Sequence, residues 1–257
     1  MISRILDLDA WRKRPSGQAL PLRLNFTWTF IGNLVYAACQ WGMLTVLAKL
    51  GSPEMVGQFS LALAITAPVI MFADLQLRGV QATDAEGRYS FSHYFTLRIL
   101  MIIGGLLVIS GIVGWSNYSW ETGKIVLVIG IAKSFEAFSD IVYGLLQKHE
   151  QMDRIAISMM CRGVVSLVTL GIAVWITHSV FWGSIALALS WLLILVVYDL
   201  RSAKKLALPR LEWDWQSLWA LLKLSFPLGI VMMLISLNTN IPRYFVQNLW
   251  GEAELGY

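Results

Sequence analysis

Apolar residues along this chain come in blocks rather than at every second or every third-to-fourth position. Stretches of about twenty residues with few or no charges recur, the length that crosses a hydrocarbon core about 30 Å thick. Seven are read as spans: Leu24–Ala48, Val56–Leu77, Phe95–Trp115, Thr122–Gln147, Ile155–Ile176, Val180–Tyr198 and Leu218–Ile241. No charge occurs from Gly163 to Tyr198, too long a run for one span, and the polar turn Thr177-His178-Ser179 divides it into a helical hairpin. Backbone groups in lipid must be satisfied within their own segment, so the expected fold class is all-α, a polytopic membrane protein.

Composition agrees with the pattern. Of 257 residues 57% are hydrophobic and only 14% charged, against roughly 25% charged in soluble domains. The net charge of +4 does not point to nucleic acid, because the basic residues flank apolar blocks instead of forming a patch interleaved with aromatics. They read as topology signals. Sixteen lie on one set of junctions, from Arg4 through Arg78, Arg98, Lys148, Arg162, Lys204 and Lys205 to Lys223, and only Lys49 and Lys124 on the opposite set. That asymmetry expects a cytoplasmic N-terminus, with loops near 51, 118 and 178 outside and those near 85, 150 and 207 inside. Residues 1–22 are expected to be a cytoplasmic arm, lying on the membrane surface or disordered. The stretch Trp213 to Leu222 reads as an interfacial helix or as aromatic anchoring of a span end.

The chain also repeats itself at an offset of 200 residues. Leu22-Arg23-Leu24-Asn25-Phe26 aligns with Leu222-Lys223-Leu224-Ser225-Phe226, and Gly51 with Gly251. Six spans separate the copies, so both run in the same direction. The expected organisation is an arm (1–22), a six-helix lobe (23–200), a cytoplasmic interfacial linker (201–217), and the first helix of an incomplete second lobe (218–257), with the rest of that lobe missing.

Three stretches carry a family resemblance: the glycine-bounded loop followed by Phe59-Ser60-Leu61-Ala62-Leu63-Ala64, the run Leu75 to Ala85, and Tyr143 to Ala156. They resemble the oligosaccharide and polysaccharide flippases of the multidrug/oligosaccharidyl-lipid/polysaccharide exporter superfamily. The resemblance implies two six-helix lobes around a cavity that opens alternately to each side. It further implies flipping of a lipid-linked oligosaccharide across the bacterial inner membrane, in the synthesis of cell-surface polysaccharide or lipopolysaccharide O-antigen. A lone lobe cannot enclose such a cavity, so a second lobe or another copy of the chain is an expected partner alongside the bilayer and the lipid-linked glycan. The alternatives are another secondary transporter (a drug/cation antiporter or a major-facilitator protein), an inactive truncated lobe, or a membrane-embedded transferase.

Other motifs carry less. His149-Glu150-Gln151-Met152-Asp153 resembles a zincin helix with Asp in the last place, but the chemistry needs two imidazoles on one helical face. Gly79, Asp84, Gly87 and Arg88 approach a major-facilitator loop with the wrong spacing. Cys39 and Cys161 have no ligand spacing and read as packing residues, and Asn117-Tyr118-Ser119 is only formally a glycosylation acceptor. No residue pattern calls for a cofactor or an enzymatic site.

Charges inside spans are costly and point to a cavity or a partner. Lys133, Glu136 and Asp140 share one face of the fourth span with Gly144 and Gln147. Lys133 is expected to meet a hydrated cavity or to pair with Glu136. The site hypothesis is that Lys133, helped by Arg23, Arg78 and Arg243, neutralises the diphosphate of a lipid-linked sugar while Glu136 and Asp140 tune that charge or bind a coupling cation. Asn33, Tyr36 and Gln40 form a polar stripe on the first span, serving helix contacts or a cavity. Asp74 and Arg78 are expected to form a local i, i+4 pair.

Overall fold

The computed structural model describes residues 21–116 and 118–250, and every regular element among them is helical. Residues 1–20 of the expected arm, Asn117 and the end of the second repeat copy from Gly251 on lie outside the described residues, and Leu22, expected to end the arm, begins α1. In chain order the elements are α1 (Leu22–Leu50), α2 (Pro53–Asp74), α3 (Leu77–Thr83), α4 (Phe91–Trp115), α5 (Trp120–Lys148), α6 (Met152–Thr177) and α7 (Val180–Ile194). A π-helical turn (Leu195–Asp199) then leads into α8 (Leu200–Lys204), and α9 (Trp215–Trp250) follows after a linker.

Local chemistry sets the ends. Ser52 caps α2 through the Met55 N–H with Pro53 in the first turn, Ser90 and His93 form a reciprocal capping box on α4, and Ser119 caps α5. Each satisfies an N–H that has no intrahelical acceptor. α4 thus begins at Phe91, four residues before the expected span. α9 starts at Trp215 and runs through Pro227 and Pro242, so the stretch expected as an interfacial helix is, from Trp215 on, the opening of this long helix.

The expected second span is broken. Leu75 and Gln76 both adopt left-handed φ, 49° and 51°, a conformation that costs non-glycine residues roughly 1–2 kcal/mol each. The chain resumes as α3 after these two residues.

Among the described residues, six helical stretches are long and apolar enough to cross a membrane: Leu22–Leu50, Pro53–Thr83, Phe91–Trp115, Met152–Thr177, Val180–Lys204 and Trp215–Gln247. The expectation was seven. The difference is α5, whose 29 residues are long enough at about 1.5 Å each but which carries Lys133, Glu136 and Asp140. It packs against α2, α3, α4 and α7, so its charges meet other helices. α1 packs chiefly on α6, and α9 chiefly on α2. At Gly32 a Cβ would stand 2.8 Å from the Ala156 Cα, so only glycine allows the α1–α6 approach seen here.

Most of the buried apolar residues among those described form two clusters. One gathers Leu47, Ile65, Ile109, Ile129, Leu170 and Trp191, and the other Leu75, Tyr94, Leu97, Ile141, Leu146 and Leu221. α5 passes through both, and its charged stretch from Lys133 to Asp140 lies between them.

Candidate functional site

The break after Asp74 redirects both of its neighbouring charges. Arg98, fully buried on α4, binds the Asp74 carboxylate and places Nη2 3.3 Å from Asp140 Oδ2. Arg78, at the start of α3, reaches Asp140 Oδ1 (3.3 Å) and Gln147 Oε1 (3.1 Å). The expected Asp74–Arg78 pair is therefore not formed, because the two residues do not share a continuous helix. Gly144 lets α3 come this close: a Cβ there would lie 3.2 Å from the Arg78 Cα and against the Gln81 amide.

On the same face of α5, Lys133 Nζ pairs with Glu136 Oε2 at 2.7 Å, and the Tyr36 hydroxyl of α1 donates to Glu136 Oε1 at 2.6 Å, with Gln40 beside it. A third set stands behind. Asp199, at the end of the π-helical turn, accepts from Arg162 Nη2 (3.1 Å) and Ser158 Oγ (2.6 Å), and Ser158 meets the Tyr143 hydroxyl at 2.7 Å. A buried charge left without a partner costs several kcal/mol, and each carboxylate in this layer has a cationic partner.

Three cations and two rings also alternate in a row. Arg78 and Arg162 lie 5.5 and 5.6 Å from the Tyr143 ring centre, and Arg162 and Lys133 lie 5.9 and 5.2 Å from that of Trp191. Cations within about 6 Å of an aromatic face are attracted by its quadrupole. The row joins α3, α5, α6 and α7.

These groups surround a cavity of about 180 Å³ whose charged lining is Asp74, Glu136 and Asp140 against Arg78, Lys133 and Arg162. Tyr36 and Tyr143 complete its polar wall. It can accept an anion that exchanges with a carboxylate at a cation, or a cation that exchanges at a carboxylate.

The structure brings Lys133, Glu136, Asp140 and Arg78 together, with Gln40 next to Tyr36. Arg23 and Asn33 occupy exposed positions on α1, and Asn33 donates to its own Thr29 carbonyl (2.7 Å). Arg243 is exposed on α9 and bonds Asn240 (2.9 Å). None of these three lines the cavity. Arg98, Arg162 and Asp199 were absent from the expected set. Their depth was the available signal: Arg162 lies ten residues into α6, about 15 Å at 1.5 Å per residue, too deep for a headgroup charge. His149 and Asp153 of the zincin-like motif fall on either side of the α5–α6 turn and do not share a helix face.

The polysaccharide biosynthesis protein family matches residues 22–257. Capsular polysaccharide biosynthesis protein CapF of Staphylococcus aureus is 30% identical over 236 residues, spanning 90% of this chain and 58% of that protein. Among solved structures, a MOP superfamily transporter from Pyrococcus furiosus superposes with a TM-score of 0.61 at 18% identity, over 92% of this chain and 58% of its own. A MATE protein in complex with MaD5 gives 0.62 at 17% identity, over 88% and 56%. The fold is that of these transporters, and the chain spans somewhat more than half the length of each.

Proposed function

This chain belongs to the polysaccharide biosynthesis protein family, and from that premise we propose that it carries a lipid-linked oligosaccharide across the bacterial inner membrane by alternating access, with its N-terminus in the cytoplasm. The observation that carries the reading is the charge-lined cavity between α1, α2, α3, α5 and α6. Glycan passes through a membrane only beside polar groups, and a lipid diphosphate needs cations at the same depth. Lys133, Arg78 and Arg162 supply them. Ammonium and guanidinium groups form charge-assisted bonds to phosphate oxygens, so a diphosphate entering the cavity displaces Glu136 from Lys133 and Asp140 from Arg78. The released carboxylates then take up a coupling cation or a proton. A second lobe, from further spans or from another copy, closes the cavity against the faces of α1 and α9.

The drug/cation antiporter reading needs a carboxylate free to receive its cation. Asp74, Glu136 and Asp140 are each paired with Arg98, Lys133 or Arg78, which favours an anionic cargo able to compete for those bases.

Chromosomal Lys133→Ala, Lys133→Arg, Glu136→Gln and the Lys133→Ala/Glu136→Gln double variant, scored for surface glycan at matched protein level, test the proposal. Lys133→Ala is expected to abolish export while Lys133→Arg retains part of it. Normal export by Lys133→Ala at normal abundance removes Lys133 from the site. Loss of export only in step with protein level assigns the pair to packing.

A further inference from the structure

The segment around the linker between α8 and α9 exposes both its acids and its bases, but it holds the acids in hydrogen bonds and leaves the bases without ion pairs. Glu212 is tied to the start of α4: its N–H donates to Thr96 Oγ1 (3.0 Å), and its carboxylate accepts from Ser90 Oγ (3.0 Å) with His93 Nε2 3.7 Å away. Asp214 is occupied at the start of α9, accepting from the Gln216 N–H (3.1 Å) and the Ser217 hydroxyl (2.6 Å). Leu206 and Ala207 pack into the second apolar cluster. The segment is thus pinned from within.

Arg201, Lys204, Lys205 and Arg210 are all exposed, and none forms an ion pair with a described residue. Between and after them stand five exposed large apolar side chains, Leu208, Leu211, Trp213, Trp215 and Trp219. Lys223 lies over the Trp219 ring, 5.4 Å from its centre. Water leaves the apolar side chains unburied, and hydrocarbon leaves the charges unsolvated. The headgroup layer suits both, since bases and aromatic rings divide there between phosphate and acyl chain. A zwitterionic headgroup brings its own cation to the phosphate. An anionic one brings net charge, which four bases without ion pairs complement, outnumbering the two hydrogen-bonded acids of the segment.

We propose that residues 201–219 form a binding surface for anionic phospholipid headgroups, with Lys204, Lys205 and Arg210 holding the phosphates and Trp213, Trp215 and Trp219 setting the depth. The occupant is bilayer phospholipid rather than cargo, because the surface is on the outside of the bundle and none of its residues lines the cavity. An ordinary aromatic belt holds the segment at the same depth without distinguishing headgroups, and that difference is measurable.

Native mass spectrometry of the purified protein from mixed micelles counts retained dioleoyl phosphatidylglycerol against dioleoyl phosphatidylcholine at equal concentration. The wild type is expected to favour the anionic lipid about fivefold or more, given attraction at each base, and to lose the preference as ionic strength rises. Lys204→Gln/Lys205→Gln/Arg210→Gln brings the ratio near one, whereas Lys204→Arg/Lys205→Arg/Arg210→Lys keeps it. Trp213→Ala lowers retention of both lipids together. If the triple Gln variant does not fold, each single Gln variant is expected to lower the ratio in part. A wild type without preference, or Gln variants that keep it, overturns the proposal.

Discussion

The Tyr244 hydroxyl of α9 donates to the Ala64 carbonyl of α2 at 2.5 Å, and that carbonyl is free because the residue four positions on is Pro68, buried within the helix. Proline has no N–H to return the helical bond, so a residue 180 positions later in the chain supplies the donor. An unpaired buried acceptor costs about 1–3 kcal/mol. Tyr244→Phe is therefore expected to destabilise the protein by that amount in detergent unfolding. In a Pro68→Ala background, where the N–H is restored, the same substitution should cost clearly less. Equal cost in both backgrounds would falsify this account.

Arg162 and Asp199 are both almost wholly buried, which makes their mutual dependence large. Arg162→Met is expected to cost about 3–5 kcal/mol, because it leaves a carboxylate buried beside Ser158 without its cation. Adding Asp199→Asn removes that charge, so the double variant should be more stable than Arg162→Met alone. A double variant at least as unstable as the single one contradicts the pairing.

Gly32 permits the α1–α6 contact at a backbone atom that cannot rotate away, the Ala156 Cα. Gly32→Ala is expected to cost about 1–3 kcal/mol by overpacking. The measured unfolding midpoint should fall, and the cross-linking yield between cysteines placed on α1 and α6 should fall with it. An unchanged midpoint removes the close-packing argument.

Asp84 closes the loop after α3 by accepting from the Arg88 N–H (3.0 Å) and the Tyr89 N–H (3.3 Å), with Lys148 Nζ 3.8 Å away. Burial raises its carboxyl, but the two N–H groups and Lys148 outweigh it, so the folded value lies below the usual carboxylate range. A group depressed on folding stabilises fully above its unfolded value and loses that contribution as pH falls through the folded one. Hydrogen exchange in residues 84–90, corrected for intrinsic rate, should show constant protection above about pH 4 and a decline below it. Asp84→Asn should flatten that response; the same acid decline in the variant sinks the assignment.

Topology has its own check. In a background lacking Cys39 and Cys161, an impermeant thiol reagent added outside cells is expected to label cysteines at 51, 118 and 178 and to spare those at 85, 150 and 207. Labelling at 85 or 150 reverses the orientation.

The spans were legible because a helix in lipid must be long and apolar, a property of composition that needs no partner. The charged face of α5 was legible too, since Lys133, Glu136 and Asp140 recur at helical spacing. Partner choice was not. Asp74 and Arg78 have ideal helical spacing, and only the two left-handed residues between them, Leu75 and Gln76, send Asp74 to Arg98. Neither residue is a glycine or an asparagine, so nothing local announces the break. Arg98 and Arg162 were counted among the bases that flank spans, and a count along the chain does not separate a headgroup charge from one deep in a helix. Tyr244 illustrates the same limit: Pro68 marks an orphan carbonyl, but the donor lies in another helix altogether.

The π-helical turn before Asp199 has a consequence for how this chain tolerates changes in length. Such a turn holds one residue more than the α-helix it interrupts. Deleting a single residue from the Val196-Val197 pair would let Val180–Lys204 run as one regular helix with its two ends in nearly the same phase, because the turn already absorbs the extra residue. Asp199 would still face Arg162 and Ser158, whereas a deletion within Val180–Ile194 would swing everything beyond it by about 100° and take Asp199 from both. A one-residue deletion at this turn should thus be far less damaging than one within Val180–Ile194, so the turn is the place where this helix can shorten and keep its partners.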